Sequence, residues 1–198
     1  IYVTGRNLVY FGPGVSLSSL FHSTLSGVSK RIGVYLDAES FENTIDNNEF
    51  NVHTDDGSWM GFYDRGWPQI AVDGSSGNQI VNNVFKRLEQ GGIYLYRNCG
   101  EGGTIRYGTP SHNTIYHNRF ELPDVTSAGT VSPAVYLGSR NYGKLENNFP
   151  GSHCNDDQQQ GLNVGSARSN ADFAQSNQVT FNVFTGRHMR VLNGTRVL

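Results

Sequence analysis

Asn43-Thr44-Ile45-Asp46-Asn47-Asn48-Glu49-Phe50 decides how this chain folds, because the same pattern returns three times. It recurs as Asn78-Gln79-Ile80-Val81-Asn82-Asn83-Val84-Phe85 and as Asn113-Thr114-Ile115-Tyr116-His117-Asn118-Arg119-Phe120. A fourth copy is Asn177-Gln178-Val179-Thr180-Phe181-Asn182-Val183-Phe184. The phenylalanines stand 35, 35 and 64 residues apart. Self-similarity at a fixed period marks a repeat architecture, in which each unit buries its apolar face only against its neighbours. Leu145-Glu146-Asn147-Asn148-Phe149 is one residue short of the pattern and is either a further copy or loop.

Working outward, a short strand precedes each copy. Gly33-Val34-Tyr35-Leu36-Asp37, Gln69-Ile70-Ala71-Val72-Asp73, Gly92-Ile93-Tyr94-Leu95-Tyr96 and Ala134-Val135-Tyr136-Leu137-Gly138 all alternate with period two. Gly161-Leu162-Asn163-Val164-Gly165 is a candidate fifth. One repeat is then a strand, a turn or loop, and a second strand bent in its middle. Asn48, Asn83, Asn118 and Asn182 sit two residues before each Phe. Asparagine tolerates a left-handed backbone, so these residues are expected to make the bend. Stacked along the axis, they are also expected to form a side-chain ladder. Ile45, Ile80, Ile115 and Val179 should stack inside, as should Phe50, Phe85, Phe120 and Phe184.

Composition agrees with this and excludes other classes. The chain has 198 residues with 24 glycines and 20 asparagines, both poor in helix interiors. Hydrophobic residues make up 36% and net charge is only −2, which disfavours disorder. No apolar run approaches the roughly 20 residues of a membrane span. Three lysines and a pI near 6.3 argue against a nucleic-acid partner. Opening on Ile1, the sequence reads as one domain over 1–198 that is a mature or trimmed form, or a piece of a longer chain. Cys99 and Cys154 lie in Gly/Asn/Asp-rich segments, either as a disulfide that ties down loops or as two thiols.

The repeats resemble those of right-handed parallel β-helix proteins with pectin-lyase-like architecture, over most of residues 30 to 186. The resemblance implies an all-β, right-handed parallel β-helix solenoid of about four to five turns. A coil in such families needs about 22 to 25 residues, so a 35-residue period leaves room for long loops on one side. Residues 138 to 176 form the longest excursion, with Cys154 and Asp156-Asp157. The resemblance also implies a substrate groove along one outer strand face, for an acidic or neutral polysaccharide.

Aligning the first strands places Tyr35, Ala71, Tyr94 and Tyr136 in one outward column, joined by Asn163 if the fifth strand exists. The next column holds Asp37, Asp73, Tyr96 and Gly138, and the next Ala38, Gly74, Arg97 and Ser139. Adjacent strands lie about 4.8 Å apart, so Asp37 and Asp73 are expected to be neighbours. Such a pair suits general acid–base catalysis, Ca²⁺ ligation, or simple capping of the turns. Arg97, with Arg140 at a nearly matching point, is a candidate fork for a uronate carboxylate. Neutralising that carboxylate acidifies the neighbouring proton and opens β-elimination, with Tyr96, His112 or His117 as base. Structural pairing of Arg97 with Glu101 or Asp73 is the alternative.

Tyr35, Tyr94, Tyr136, Glu101, Arg106 and His112 are the candidate substrate-binding residues. His117 shares the slot of Asn47 and Asn82 and reads first as a ladder substitute. His53, Asp55 and Asp56, with Trp59 and Trp67, form either a subsite wall or a cover over the core. No spacing resembles a zinc site, and Ca²⁺ is the one cofactor the acidic pair suggests. Asn193-Gly194-Thr195 is a glycosylation sequon. The polygalacturonase Asp and His-Gly motifs are absent. The expected protein is a secreted, periplasmic or cell-surface carbohydrate-active solenoid that binds, and by β-elimination cleaves, an acidic polysaccharide. Its catalytic set is Asp37, Asp73, Tyr96, Arg97 and Arg140. The rival is a non-catalytic fibre, adhesin or surface-binding solenoid. Solenoid ends without polar caps invite self-association or flanking domains.

Overall fold

A computed structural model of the chain describes residues 2–54, 67–88, 91–97, 108–121, 133–138, 174–186 and 190–193. The strands fall on three faces. Face 1 holds β1 (Tyr2–Gly5), β4 (Thr24–Ser29), β7 (Glu49–Thr54), β10 (Val84–Phe85), β13 (Arg119–Glu121) and β16 (Val183–Thr185). Face 2 holds β2 (Val9–Phe11), β5 (Val34–Leu36), β8 (Ile70–Asp73), β11 (Ile93–Tyr96), β14 (Val135–Leu137) and β17 (Val191–Asn193). Face 3 holds β3 (Ser19–Phe21), β6 (Thr44–Asp46), β9 (Gln79–Val81), β12 (Thr114–Tyr116) and β15 (Gln178–Thr180). The chain visits faces 1, 2 and 3 in rotation, and each strand from β1 to β14 pairs in parallel with the one three places on. That is a parallel β-helix. Among the described residues no helix is long and apolar enough to cross a membrane.

The coil is longer than the expected four to five turns, with six strands on two faces and five on the third. The added turn precedes residue 30. Ser18-Ser19-Leu20-Phe21-His22-Ser23-Thr24-Leu25 is a copy of the repeat with Ser in both asparagine slots and Leu for Ile and Phe. Leu20 pairs with Ile45 and Leu25 with Phe50. The shift there is 25 residues, the length of a bare coil. Later turns gain their extra length on either side of the face 2 strands, while the corner from face 3 to face 1 is the same two residues every time.

Two candidate repeat segments do not enter the observed pairing. Leu145–Phe149 and Gly161–Gly165 lie outside the described residues, but β12 pairs directly with β15 and β13 with β16, so no coil intervenes. Face 2 continues from β14 to β17, which puts Leu192, not Asn163, beside Tyr136.

The interior stacks as the repeat predicts. Phe50, Phe85 and Phe120 are fully buried, with ring centroids 4.8 Å apart at both steps, and Phe184 follows at 5.1 Å. Ile45, Ile80 and Ile115 form a second fully buried column, and Val34, Ile70, Ile93 and Val135 a third. Each such side chain contributes about 1.5–3 kcal/mol by leaving water. Gly33 and Gly92 open face 2 strands where coils come closest. A Cβ at Gly33 would lie 2.7 Å from the Gln69 carbonyl oxygen, and one at Gly92 would strike that of Ala134.

The bend differs from expectation by one residue. The left-handed positions are His22, Asn47, Asn82, His117 and Phe181, with φ from 49° to 56°, each immediately before the ladder residue. His117 is therefore a corner residue, not a ladder substitute. The reason is directional. Asn48, Asn83 and Asn118 must aim along the axis, so the preceding, exposed residue takes the turn. The backbone N–H of Asn48 donates to Asn83 Oδ1, that of Asn83 to Asn118 Oδ1, and that of Asn118 to Asn182 Oδ1, each at 2.9 Å. A second ladder, unforeseen from the sequence, runs through Asn43, Asn78, Asn113 and Asn177 at 2.9–3.0 Å. Serines join both ladders one coil earlier, where the Ser18 and Ser23 N–H groups donate to Asn43 and Asn48.

Candidate functional site

The outer side of face 2 carries the predicted tyrosine column, and the Asp73–Tyr96 step of the next, in the predicted register. Tyr35 and Tyr94 both pair with Ala71, Tyr94 with Tyr136, and Tyr96 with Asp73. Alternation in these strands turns Val34 and Leu36 into the core and Tyr35 outward. The outward residues make a second apolar cluster outside the coil, of Ile32, Trp67, Ala71, Tyr94, Tyr96 and Tyr136, with Tyr35 and Leu192 against it. Tyr94 and Tyr136 meet edge to face at 5.6 Å. Strands apolar on both sides are expected where a parallel sheet is covered on both.

Exposure along this face is graded. Tyr10 is 55% exposed and Tyr35 half-buried, whereas Tyr94, Tyr96 and Tyr136 keep 5%, 3% and 1%. Asp37, Asp73 and Arg97 are buried at 5%, 0% and 8%. The accessible part is therefore the first two turns, where Tyr10 and Tyr35 stack at 5.9 Å. Tyr10 was not in the predicted set. The same-column spacing from Tyr35, once the first coil is recognised, identifies it.

The carboxylates orient these rings. The Tyr10 hydroxyl donates to Asp37 Oδ2 at 2.6 Å, and the Tyr35 hydroxyl donates to Asp73 Oδ2 in a short bond. Asp37 also holds its turn, with Oδ1 accepting from the Ala38 N–H and its carbonyl accepting from the Ser40 hydroxyl. Burial, then the charge of Asp73, pushes the Tyr35 pKa far above its ordinary 10.0. Tyr35 therefore keeps its proton at neutral pH and is a hydrogen-bond donor, not a base.

Arg31 stands near Tyr35, and Arg6 near Arg31. Arg31 lies 5.4 Å from the Trp67 ring. Burial, then the like charge of Arg6, holds its pKa below the usual 12.5. Among the described residues no carboxylate forms a salt bridge with Arg6 or Arg31. Neither arginine was foreseen, because each lies outside the repeat and only the coil brings them together.

The remaining candidates separate. His112 stands in a left-handed corner entering face 3, exposed, and His117 in the corner leaving it, against Tyr116 and Phe181. His53 is exposed on face 1, and Trp67 belongs to the outer cluster. Arg140, Glu101, Arg106, Asp55, Asp56, Trp59, Asp156, Asp157, Cys99 and Cys154 lie outside the described residues, and with them the disulfide. Among the described residues no three His, Cys, Asp or Glu side chains cluster to hold a metal ion.

Tyr35→Phe tests the Tyr–Asp contact through pH. A tyrosine with a raised folded pKa contributes stability that is complete below its unfolded value of 10.0 and is lost as pH rises above it. The wild type should therefore lose more stability than Tyr35→Phe in thermal melts between neutral and strongly alkaline pH. Equal losses would show that Tyr35 ionises freely.

No family model matches the chain, and no curated protein or solved structure is significantly similar to it.

Proposed function

We propose that this β-helix binds an acidic polysaccharide across the first turns of face 2, outside the cytoplasm. The observation that carries this reading is the Tyr10–Tyr35 stack, open to solvent at Tyr10 and oriented by Asp37 and Asp73, with Arg31 near Tyr35 and Arg6 near Arg31. Tyrosine edges and hydroxyls suit sugar rings, while two mutually repelling guanidinium groups suit a uronate carboxylate, which relieves their repulsion. Arg31 and Arg6 here take the part first assigned to Arg97 and Arg140. Any β-elimination at this face draws its base from a group other than Tyr35.

The rival, a structural or adhesive solenoid, is favoured by the burial of Asp73, Tyr94, Tyr96 and Tyr136, which serve packing. Affinity electrophoresis in gels containing polygalacturonate, alginate or a neutral glucan separates the two. Arg31→Ala should weaken retention by a uronate polymer about tenfold, the loss of ~1.4 kcal/mol. Equal retention of wild type and variant, or none by any polymer, favours the structural solenoid. Ultraviolet absorbance of unsaturated products during incubation with the same polymers reports elimination.

A further inference from the structure

The two ends of the coil are cuts through its core. Among the described residues β1, β2 and β3 pair on one side only, and so do β15, β16 and β17 at the other end. Such edges present rows of N–H and C=O groups that a further strand can pair with. The apolar columns show the same cut. The core members that keep partial exposure are Leu8, Val9, Val15 and Leu20 in the first coil and Val179 and Phe184 in the last. Val191 ends the column of Val34, Ile70, Ile93 and Val135 and is 41% exposed, where those residues are at 0%. The asparagine ladders are directional. Each N–H donates to the next coil, and those of Asn177 and Asn182 meet no further rung among the described residues.

What fits such an end is another coil of the same cross-section, and the opposite end of this molecule is one. Parallel pairing carries each column through the stack in register. The first coil therefore offers Val9 in the column of Val191 and Leu20 in that of Val179. A copy stacked head to tail sets Val9 on Val191 and Leu20 on Val179, as successive coils do within the chain. Its Ser18 and Ser23 then fall in the two ladder slots. Their hydroxyls donate to the Ser16 and Phe21 carbonyls, which leaves the oxygen lone pairs to accept from the Asn177 and Asn182 N–H groups. A serine oxygen reaches less far than asparagine Oδ1, so the joint between copies is looser than that between coils, and reversible.

We propose that copies of this chain associate end to end, with β15, β16 and β17 of one against β1, β2 and β3 of the next. The contact joins two different surfaces and does not close on itself, so it builds linear assemblies. Sedimentation velocity over a range of concentrations tests it. The wild type should grow from monomer through multiples of its 21.8 kDa mass as concentration rises. Val191→Lys charges the last coil and Val9→Lys the first, and each alone should weaken association at least about tenfold. An equimolar mixture of the two retains one intact end on each variant, so it should form dimers and stop there. Circular dichroism checks that both variants fold. Amide hydrogen exchange of the wild type needs no variant: the Asn177 and Asn182 N–H groups should exchange more slowly as concentration rises, while that of Asn82, in a middle coil, should not change. A wild type that stays monomeric at every concentration overturns the proposal, since other chain then covers the ends. It is also overturned by either variant alone associating like the wild type, by a mixture of folded variants that stays monomeric, or by exchange at Asn177 and Asn182 that ignores concentration.

Discussion

Phe85→Ala is expected to destabilise the protein by about 3–5 kcal/mol, the range for emptying a buried aromatic site. Phe85 is fully buried in the middle of its column, with Phe50 on one side and Phe120 on the other at 4.8 Å. The three rings are stacked nearly parallel, tilted by only 9° and 5° between neighbours. Removing the ring loses its transfer term and two ring contacts, each worth ~0.5–1.5 kcal/mol in measured pairs. Collapse cannot refill the space, because parallel pairing holds Val84 and Phe85 against Glu49 and Phe50 below and Arg119 and Phe120 above. Phe85→Leu keeps most of the volume and should cost far less. Urea denaturation followed by tryptophan fluorescence or circular dichroism reads both. A loss below about 1 kcal/mol for Phe85→Ala would mean that the column is not close-packed.

The second large effect belongs to Asn83→Ala. Asn83 is fully buried, and its Oδ1 accepts from both the backbone N–H and Nδ2 of Asn48. Its Nδ2 lies within hydrogen-bond distance of the Ile45 and Val81 carbonyls and of Asn118 Oδ1. Alanine leaves the Asn48 N–H and the Ile45 carbonyl buried without that partner, at roughly 1–3 kcal/mol each. A total near 3 kcal/mol, read as a shift in the urea midpoint at constant slope, is the expected result. Ser23→Ala provides the contrast. Ser23 stands at the first rung, and its hydroxyl donates only to the nearby Phe21 carbonyl in an exposed corner. Its loss should be a few tenths of a kcal/mol, as for surface substitutions generally. If Asn83→Ala were equally mild, the ladder would be a consequence of stacking and not a source of stability.

Much of this fold was legible because coil geometry repeats in the covalent spacing. Ile45, Ile80 and Ile115 announce one inward column and Phe50, Phe85 and Phe120 another, since each turn presents the same residue to the same place. The ladder through Asn48, Asn83 and Asn118 was legible for the same reason. The first coil was not, because serine replaces asparagine in both ladder slots and leucine replaces both core residues. The bend was misplaced by one residue because both Asn47 and Asn48 tolerate a left-handed backbone, and only the direction of the hydrogen bonds separates them.

The site was less legible. Its columns of Tyr35, Asp37, Asp73, Tyr96 and Arg97 followed from strand alignment, and the register of Tyr35, Tyr94 and Tyr136, and of Asp73 with Tyr96, is as expected. Burial did not follow. A strand pattern reports which side chains leave the coil, but not whether other chain then covers them. Thus Tyr136 and Asp73 are buried on the outside of face 2, while Tyr10 remains open at its first turn. Sequence alone determined the parallel coil, its inward columns and its period, because these depend on local alternation and repeat length. Tertiary structure decided which outward residues water still reaches, and it set Arg31 near Tyr35 and Arg6 near Arg31. Those arginines are 25 residues apart in a chain whose bare coil is also 25 residues, so only winding makes them neighbours.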